Sequence, residues 1–493
     1  MYEKIFTNAN IYGSTESSLL VRGEKIATVG RASECRAMAQ TDPDAIDCCG
    51  KFLTPGFTDS HCHLVEAGEA LIRPVLAGLS VDDLLTVLGS ERNDESSGLP
   101  MVAMGLDDRQ FRGLQDASRI RLTAENGVLL FHQSGHSALA DRTASQLLEI
   151  PETGGEVTLV QDPYEHPRVL SMLQKRKHQD VYLALCLEAA LANYHRFGVT
   201  SLHDNTWDPE VFRLMSMMTH GIDIQSWVKG DDPLSAWRMG DGVLPPAGIS
   251  FGPVKFFIDG AFFNQMAWLL EPYNGSDNYG DGVPSDKIAS RITPFIAQRR
   301  QCVFHAAGDR AISELCDALE SLLPVFPWIP DLRIRIEHAQ LIDEGDFERI
   351  RKLGIAVSVQ PDACTDPERD IQLLGEARAL RAYPHKRVLD ESIPLAFGSD
   401  FPYESTTDPF SGIASVCNRA MGESLTPMQA VDTYTRGGAY AGFFEEEKGR
   451  IADGLQADFF LSEVDPLADP SGARDSLRSV FHRGLCVYTA HSD

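Results

Sequence analysis

Over the first fifty residues, apolar positions alternate or run in short stretches between glycine turns: KIFTNANIYG, SLLVRGEKIATVG and DAIDCCGKFLTPG. A two-residue period of this kind predicts strands. From about residue 52 the pattern changes, and apolar runs become separated by stretches with helical spacing such as DRAISELCDALESLLP and DEGDFERIRKL. Eight runs read as strands, at residues 52–63, 198–204, 223–229, 253–259, 302–309, 332–339, 355–361 and 394–400. Helical crossovers between consecutive strands imply parallel pairing. The predicted fold class is therefore α/β, a (β/α)8 TIM barrel. Near the end, KGRIADGLQADFFLSEVDP and SVFHRGLCVYTA return to the pattern of the beginning. Residues 1–53 and 447–493 are thus expected to form one small β-sandwich domain from both ends of the chain, with the barrel over 54–446.

Two connections exceed what a barrel needs: residues 64–197 after the first strand, and about 260–288 after the fourth. Long loops at the C-terminal ends of barrel strands build or cover the site. The second carries Phe262, Phe263, Met266, Trp268 and Tyr273, which either wall a substrate pocket or pack beneath the loop.

Formal charge is −27, from 44 basic and 71 acidic side chains. Such a balance repels nucleic acid and anionic membranes, so the expected partner is a small-molecule substrate, and a homodimer is compatible with this class of chain. There is no apolar run of membrane-spanning length and no leader-like start, and ten cysteines without a CxxC pair do not suggest a disulfide scaffold. A cytoplasmic protein is expected. Cys48 and Cys49 are read as buried strand residues.

The chemistry lies at the ends of the predicted strands. In TPGFTDSHCHL, strand alternation puts His61 and His63 on one face and Cys62 on the other, where it packs. Lys255 falls in the fourth strand, His305 in the fifth, His338 in the sixth, and Asp400 closes the eighth. These donors would converge at the rim where barrel enzymes keep their chemistry. A lysine ammonium has no lone pair. Burial among cations favours the neutral amine, which can combine with carbon dioxide to give an anionic carbamate able to bridge two metals. Without that modification one metal is expected. Asp309, in GDRAISEL, is read as a helix cap, and Asp259 as a turn residue or a partner to a ligand.

PGFTDSHCH, VKFFIDG, FHAAGD, IEHAQ and FGSDFP, followed by LTPMQAVDTYTRGGAYA and GRIADGLQADF, resemble the amidohydrolase superfamily. Their spacing is most similar to its amidohydrolase-3 (YtcJ-like) branch, which includes N-substituted formamide deformylases. The resemblance implies a barrel with a urease-type β-sandwich. It also implies a divalent metal site, with one or two zinc ions held by His61, His63, Lys255 (N-carboxylated), His305, His338 and Asp400. Two departures stand out. QPDACTD lacks a histidine expected after the seventh strand, and GHSALADR keeps His136 but lacks an asparagine of the matching segment.

The expected activity is hydrolysis of an amide-like carbon–nitrogen bond, other than a peptide bond, by metal-activated hydroxide. Asp400 would shuttle the proton and His136 would steady the oxyanion. The alternatives are a mononuclear deaminase on the same fold and a non-catalytic binding protein on a retired barrel.

Overall fold

The computed structural model describes residues 2–72, 79–80, 82–84, 86, 99–116, 126–132, 137–152, 157–163, 166–177, 180–205, 211, 215, 218, 221–230, 248–404 and 406–490. The chain divides into two compact units. One comprises Met1–Cys62, Ala192–Ser399 and Thr407–Asp493, the other His63–Leu191 and Asp400–Thr406.

In the first unit eight strands pair side by side, all parallel: Phe57–Cys62, Val199–Asp204, Asp223–Lys229, Ile249–Phe257, Cys302–Ala306, Arg335–His338, Ala356–Val359 and Leu395–Phe397. The first, second, fifth, sixth, seventh and eighth are buried along their whole length. Burial on both faces is what a parallel sheet covered by helices requires. The eighth returns against the first: a Cβ on Gly398 would stand 2.4 Å from the His61 nitrogen. The ring is the barrel.

Two further sheets complete this unit. A five-stranded sheet runs in the order Asn10–Ile11, Phe52–Pro55, Phe459–Ser462, Leu477–His482 and Leu485–Thr489, and a four-stranded one in the order Lys25–Gly30, Ser18–Arg22, Glu3–Thr7 and Asp44–Asp47. They share one core, in which the Phe6 ring meets Phe459 and Phe481 edge-on, each at 5.0 Å, among Leu19, Ile26 and Leu53. Both ends of the chain therefore build a single sandwich.

The run expected as one strand over 52–63 is two. Phe52–Pro55 pairs with Phe459–Ser462 in the sandwich, and only Phe57–Cys62 enters the barrel. The break falls at Gly56, whose nitrogen donates to the Asp458 carbonyl at 3.0 Å. A Cβ there would lie 2.2 Å from Thr200 Oγ1, so the approach admits only glycine. Hydrophobic period reports a strand but not which sheet receives it.

The second unit holds a four-stranded sheet in the order Val157–Gln161, Ser137–Asp141, Val128–His132 and Met101–Leu106. Alternate residues serve opposite faces. Leu129, Phe131, Ala138 and Ala140 pack with Val169 and Met172, whereas Val128, Leu130 and Leu139 pack with Leu106 and Phe111. Among the described residues no helix is long and apolar enough to cross a membrane. Cys48 is buried, but Cys49 is exposed in a left-handed turn (φ 51°), and the strand before them ends at Asp47, so neither adjacent cysteine is a strand residue.

Candidate metal centre

Three imidazoles gather inside the barrel of the first unit. The His61 and His338 rings lie 5.4 Å apart and those of His305 and His338 4.2 Å apart. All three are buried, as is Lys255, whose Nζ sits 5.2 Å from the Phe257 ring and 5.9 Å from the Trp227 ring. Burial, with His61 and Lys255 nearby, holds His338 well below the usual histidine range, so its ring is neutral.

The hydrogen bonds of two of these rings define their tautomers. His61 Nδ1 is 2.7 Å from Glu337 Oε2, and His338 Nδ1 is 2.7 Å from Gln360 Oε1. A carboxylate and an amide oxygen can only accept, so both Nδ1 atoms carry the proton and both Nε2 atoms carry the lone pair. Neutral imidazoles whose Nδ1 protons are already committed have the chemistry that metal ligation by histidine requires. The backbone also shows local cost, since His338 and Ala339 both adopt positive φ, at 77° and 42°. Strain of this kind at a strand end accompanies functional sites.

His63 does not continue the strand. It is the N-cap residue of the helix Leu64–Leu71, so the two-residue repeat no longer sets its direction. In the second unit His63 Nε2 lies 3.0 Å from Asp400 Oδ1, and the Tyr403 ring meets His63 edge-on at 4.7 Å. Asp400 has φ 50° and follows the eighth strand by three residues. His136 lies outside the described residues.

Asp259 organises the connection after the fourth strand. Its carboxylate accepts backbone N–H groups from Trp268 (3.0 Å), Ala307 (3.0 Å) and Gly308 (2.9 Å), and His305 Nε2 lies 3.8 Å away. Burial pushes its pKa up to about 7 against the pull of those amides. Asp309 does not cap its helix, whose N-cap is Gly308. Instead Asp309 Oδ1 accepts from the Leu270 nitrogen at 2.8 Å and the Arg310 nitrogen at 2.9 Å, tying the same loop to the helix start. Phe262 and Tyr273 pack beneath the loop, while Met266 is exposed. Cys62 is buried, its thiol 3.6 Å from the His203 carbonyl.

Arg335, Glu337, His203 and Gln360 were not anticipated. A signal for two of them was present: in LRIRIEHA, charges at 335 and 337 share one face of a strand that should be buried on both sides.

Residues 44–489 match the amidohydrolase family. The chain is 27% identical to YtcJ of Bacillus subtilis (strain 168), over 87% of each chain. It is 24% identical to the N-substituted formamide deformylase of Arthrobacter pascens, over 96% of this chain and 95% of that one. Its fold is similar to that of an uncharacterised metal-dependent hydrolase from Pyrococcus horikoshii OT3, with TM-score 0.82, 21% identity, and 95% and 99% of the two chains covered. The matched region begins in the terminal sandwich, runs through the whole barrel and returns to the sandwich, and on that extent the chain belongs to the amidohydrolase family, a family of hydrolases.

Proposed function

We propose that this chain is a metal-dependent hydrolase that cleaves a carbon–nitrogen bond, other than a peptide bond, in a small molecule. The observation that carries the reading is the pair of hydrogen bonds at Nδ1. His61 and His338 each commit Nδ1 to an acceptor, and His305 packs against His338 within the same barrel. We assign His61, His63, Lys255, His305, His338 and Asp400 to one or two divalent ions, for which zinc suits the nitrogen and oxygen donors. When bound, the metal lowers the pKa of water toward ~7 and polarises the substrate carbonyl.

The remaining work belongs to this chain's own residues. Asp400 accepts the proton of the attacking water and returns it to the departing nitrogen. His63 Nε2 lies 3.0 Å from Asp400 Oδ1, close enough for both to serve the same ion. Lys255 serves as a ligand only as a carbamate, formed when its neutral amine adds to carbon dioxide and loses a proton; burial favours the neutral amine. His136 is assigned to the developing oxyanion.

The test is a hydrolysis screen of the metal-loaded enzyme over cyclic amides, N-acyl amino acids, formamides and carbamates, alongside metal counting. Turnover in one class with two ions per chain supports the reading. One ion per chain, unmodified Lys255 and release of ammonia from a ring substrate would favour a deaminase instead.

A further inference from the structure

Glu337 is fully buried, and so is Arg335, two residues earlier on the same strand. Arg335 Nε donates to Glu337 Oε1 at 3.0 Å, and Arg335 NH2 is 2.9 Å from the same oxygen. The other carboxylate oxygen, Oε2, faces His61 Nδ1 at 2.7 Å. The guanidinium also donates to the Ser60 carbonyl at 2.8 Å, one residue before His61, and to His203 Nδ1 at 3.0 Å, while lying 4.8 Å over the Trp227 ring. Arginine has only donors, so His203 Nδ1 must accept. Arg335 therefore has an acceptor in the first strand, one in the second and one in its own.

A buried ion pair is a costly way to fill a barrel, since apolar residues of equal volume serve stability as well or better. What an apolar pair could not do is hold an imidazole in one tautomer. We infer that Glu337, oriented by Arg335, is the positioning residue that keeps the Nδ1 proton on His61 and so presents the Nε2 lone pair to the metal. The inference rests on the proposed role of His61 as a ligand.

Glu337→Gln is nearly isosteric and separates the inference from a packing role. Glutamine has one side-chain oxygen, and the buried guanidinium requires it. The amide NH2 is then turned to His61 Nδ1, which must accept, and the proton moves to Nε2. The expected result is a loss of metal affinity of about tenfold to a hundredfold, measured by competition with a chelator, with the thermal midpoint used to confirm folding. Arg335→Met in the same chain frees the glutamine oxygen to face His61, so the double variant should recover affinity relative to Glu337→Gln alone. A packing role predicts the opposite, because the second substitution would only add damage.

Nitrogen NMR of the His61 ring in the wild-type, metal-free protein gives the same answer without any variant: Nδ1 protonated supports the inference and Nε2 protonated overturns it. His61→Ala keeps the two readings apart. If that variant binds metal as the wild type does, His61 is not a ligand. If it loses metal while Glu337→Gln retains full affinity, the ligand stands and the positioning role falls.

Discussion

Two buried clusters in the first unit each combine carboxylate, guanidinium and imidazole, and they differ in how the carboxylates are engaged. Around His61, one carboxylate, Glu337, stands between a guanidinium and an imidazole and takes a donor on each oxygen. At the junction of the third barrel strand with the terminal sheet, Asp223, Asp458 and His482 also bring potential ligand atoms within 4.8 Å of one another. There, however, Asp223 Oδ1 is met by Arg483 Nε (3.1 Å) and NH2 (2.9 Å) and by His482 (3.1 Å), and Lys448 holds Oδ2. Burial alone would raise Asp223, but Lys448 and His482 hold it well below the usual carboxylate range. Both oxygens of Asp223 are thus already taken by protein donors. Proximity of carboxylates and imidazoles does not define a metal site; the direction of their lone pairs and the cations already present do.

The largest effect is expected at Asp400, the proposed proton carrier. Asp400→Asn should lower kcat by about 10²–10⁴-fold and leave the thermal midpoint nearly unchanged; substantial turnover in the variant would remove Asp400 from proton transfer. Asp223→Asn should do the reverse. Lys448 loses its buried partner, and a broken buried pair costs about 3–5 kcal/mol, near the lower end here because Arg483 retains Glu24 at 3.0 Å. Urea unfolding should report that loss, with kcat per folded molecule unaltered.

A third kind of buried histidine sharpens the contrast. His385 has neither ring nitrogen hydrogen-bonded and packs against Phe397, and burial lowers its pKa to about 3. Because the folded pKa lies below the unfolded value of about 6.5, the unfolded chain binds the extra proton. Stability is then complete above pH 6.5 and declines as pH falls toward 3. His385→Phe should recover roughly 3 kcal/mol at pH 4 relative to pH 7, seen as a flatter acid limb in urea midpoint against pH. His195, lowered to about 4 by burial, will retain part of the limb.

The smallest effect is expected at Gln360. Gln360→Met removes the acceptor for His338 Nδ1 without moving a charge, and metal affinity should fall about tenfold in chelator competition. An unchanged affinity would mean that backbone geometry alone orients His338.

The barrel was readable because strand-like runs recur between stretches of helical spacing, and His61, Lys255, His305 and His338 stand in the strands expected for them. The terminal sandwich was readable from alternation. Periodicity failed at Gly56, where a steric limit set by Thr200 divides one run between two sheets. It failed again at His63, where the strand stops one residue short of the expected alternation and the residue becomes the N-cap of a helix. Nor could it foresee that residues 63–191 hold a sheet of their own, because nothing in local pattern separates an insertion from a loop. Arg335 and Glu337 left a trace, two charges on one face of a strand expected to be buried, but their partners Ser60, His61 and His203 lie on other strands and leave no local signature, and neither does the Gln360 bond to His338.

The five-stranded terminal sheet has a consequence for how the chain is made. Leu53 pairs with Leu461, so during synthesis the early strand waits for a partner some four hundred residues downstream. At about 5–20 residues per second the wait is roughly 20–80 s. Through that interval Phe52–Pro55 can pair within its final sheet only with the two-residue strand Asn10–Ile11, and the barrel can close first. The sandwich is then the last piece to assemble, and a ribosome stalled before residue 459 would leave an apolar strand edge open to other nascent chains.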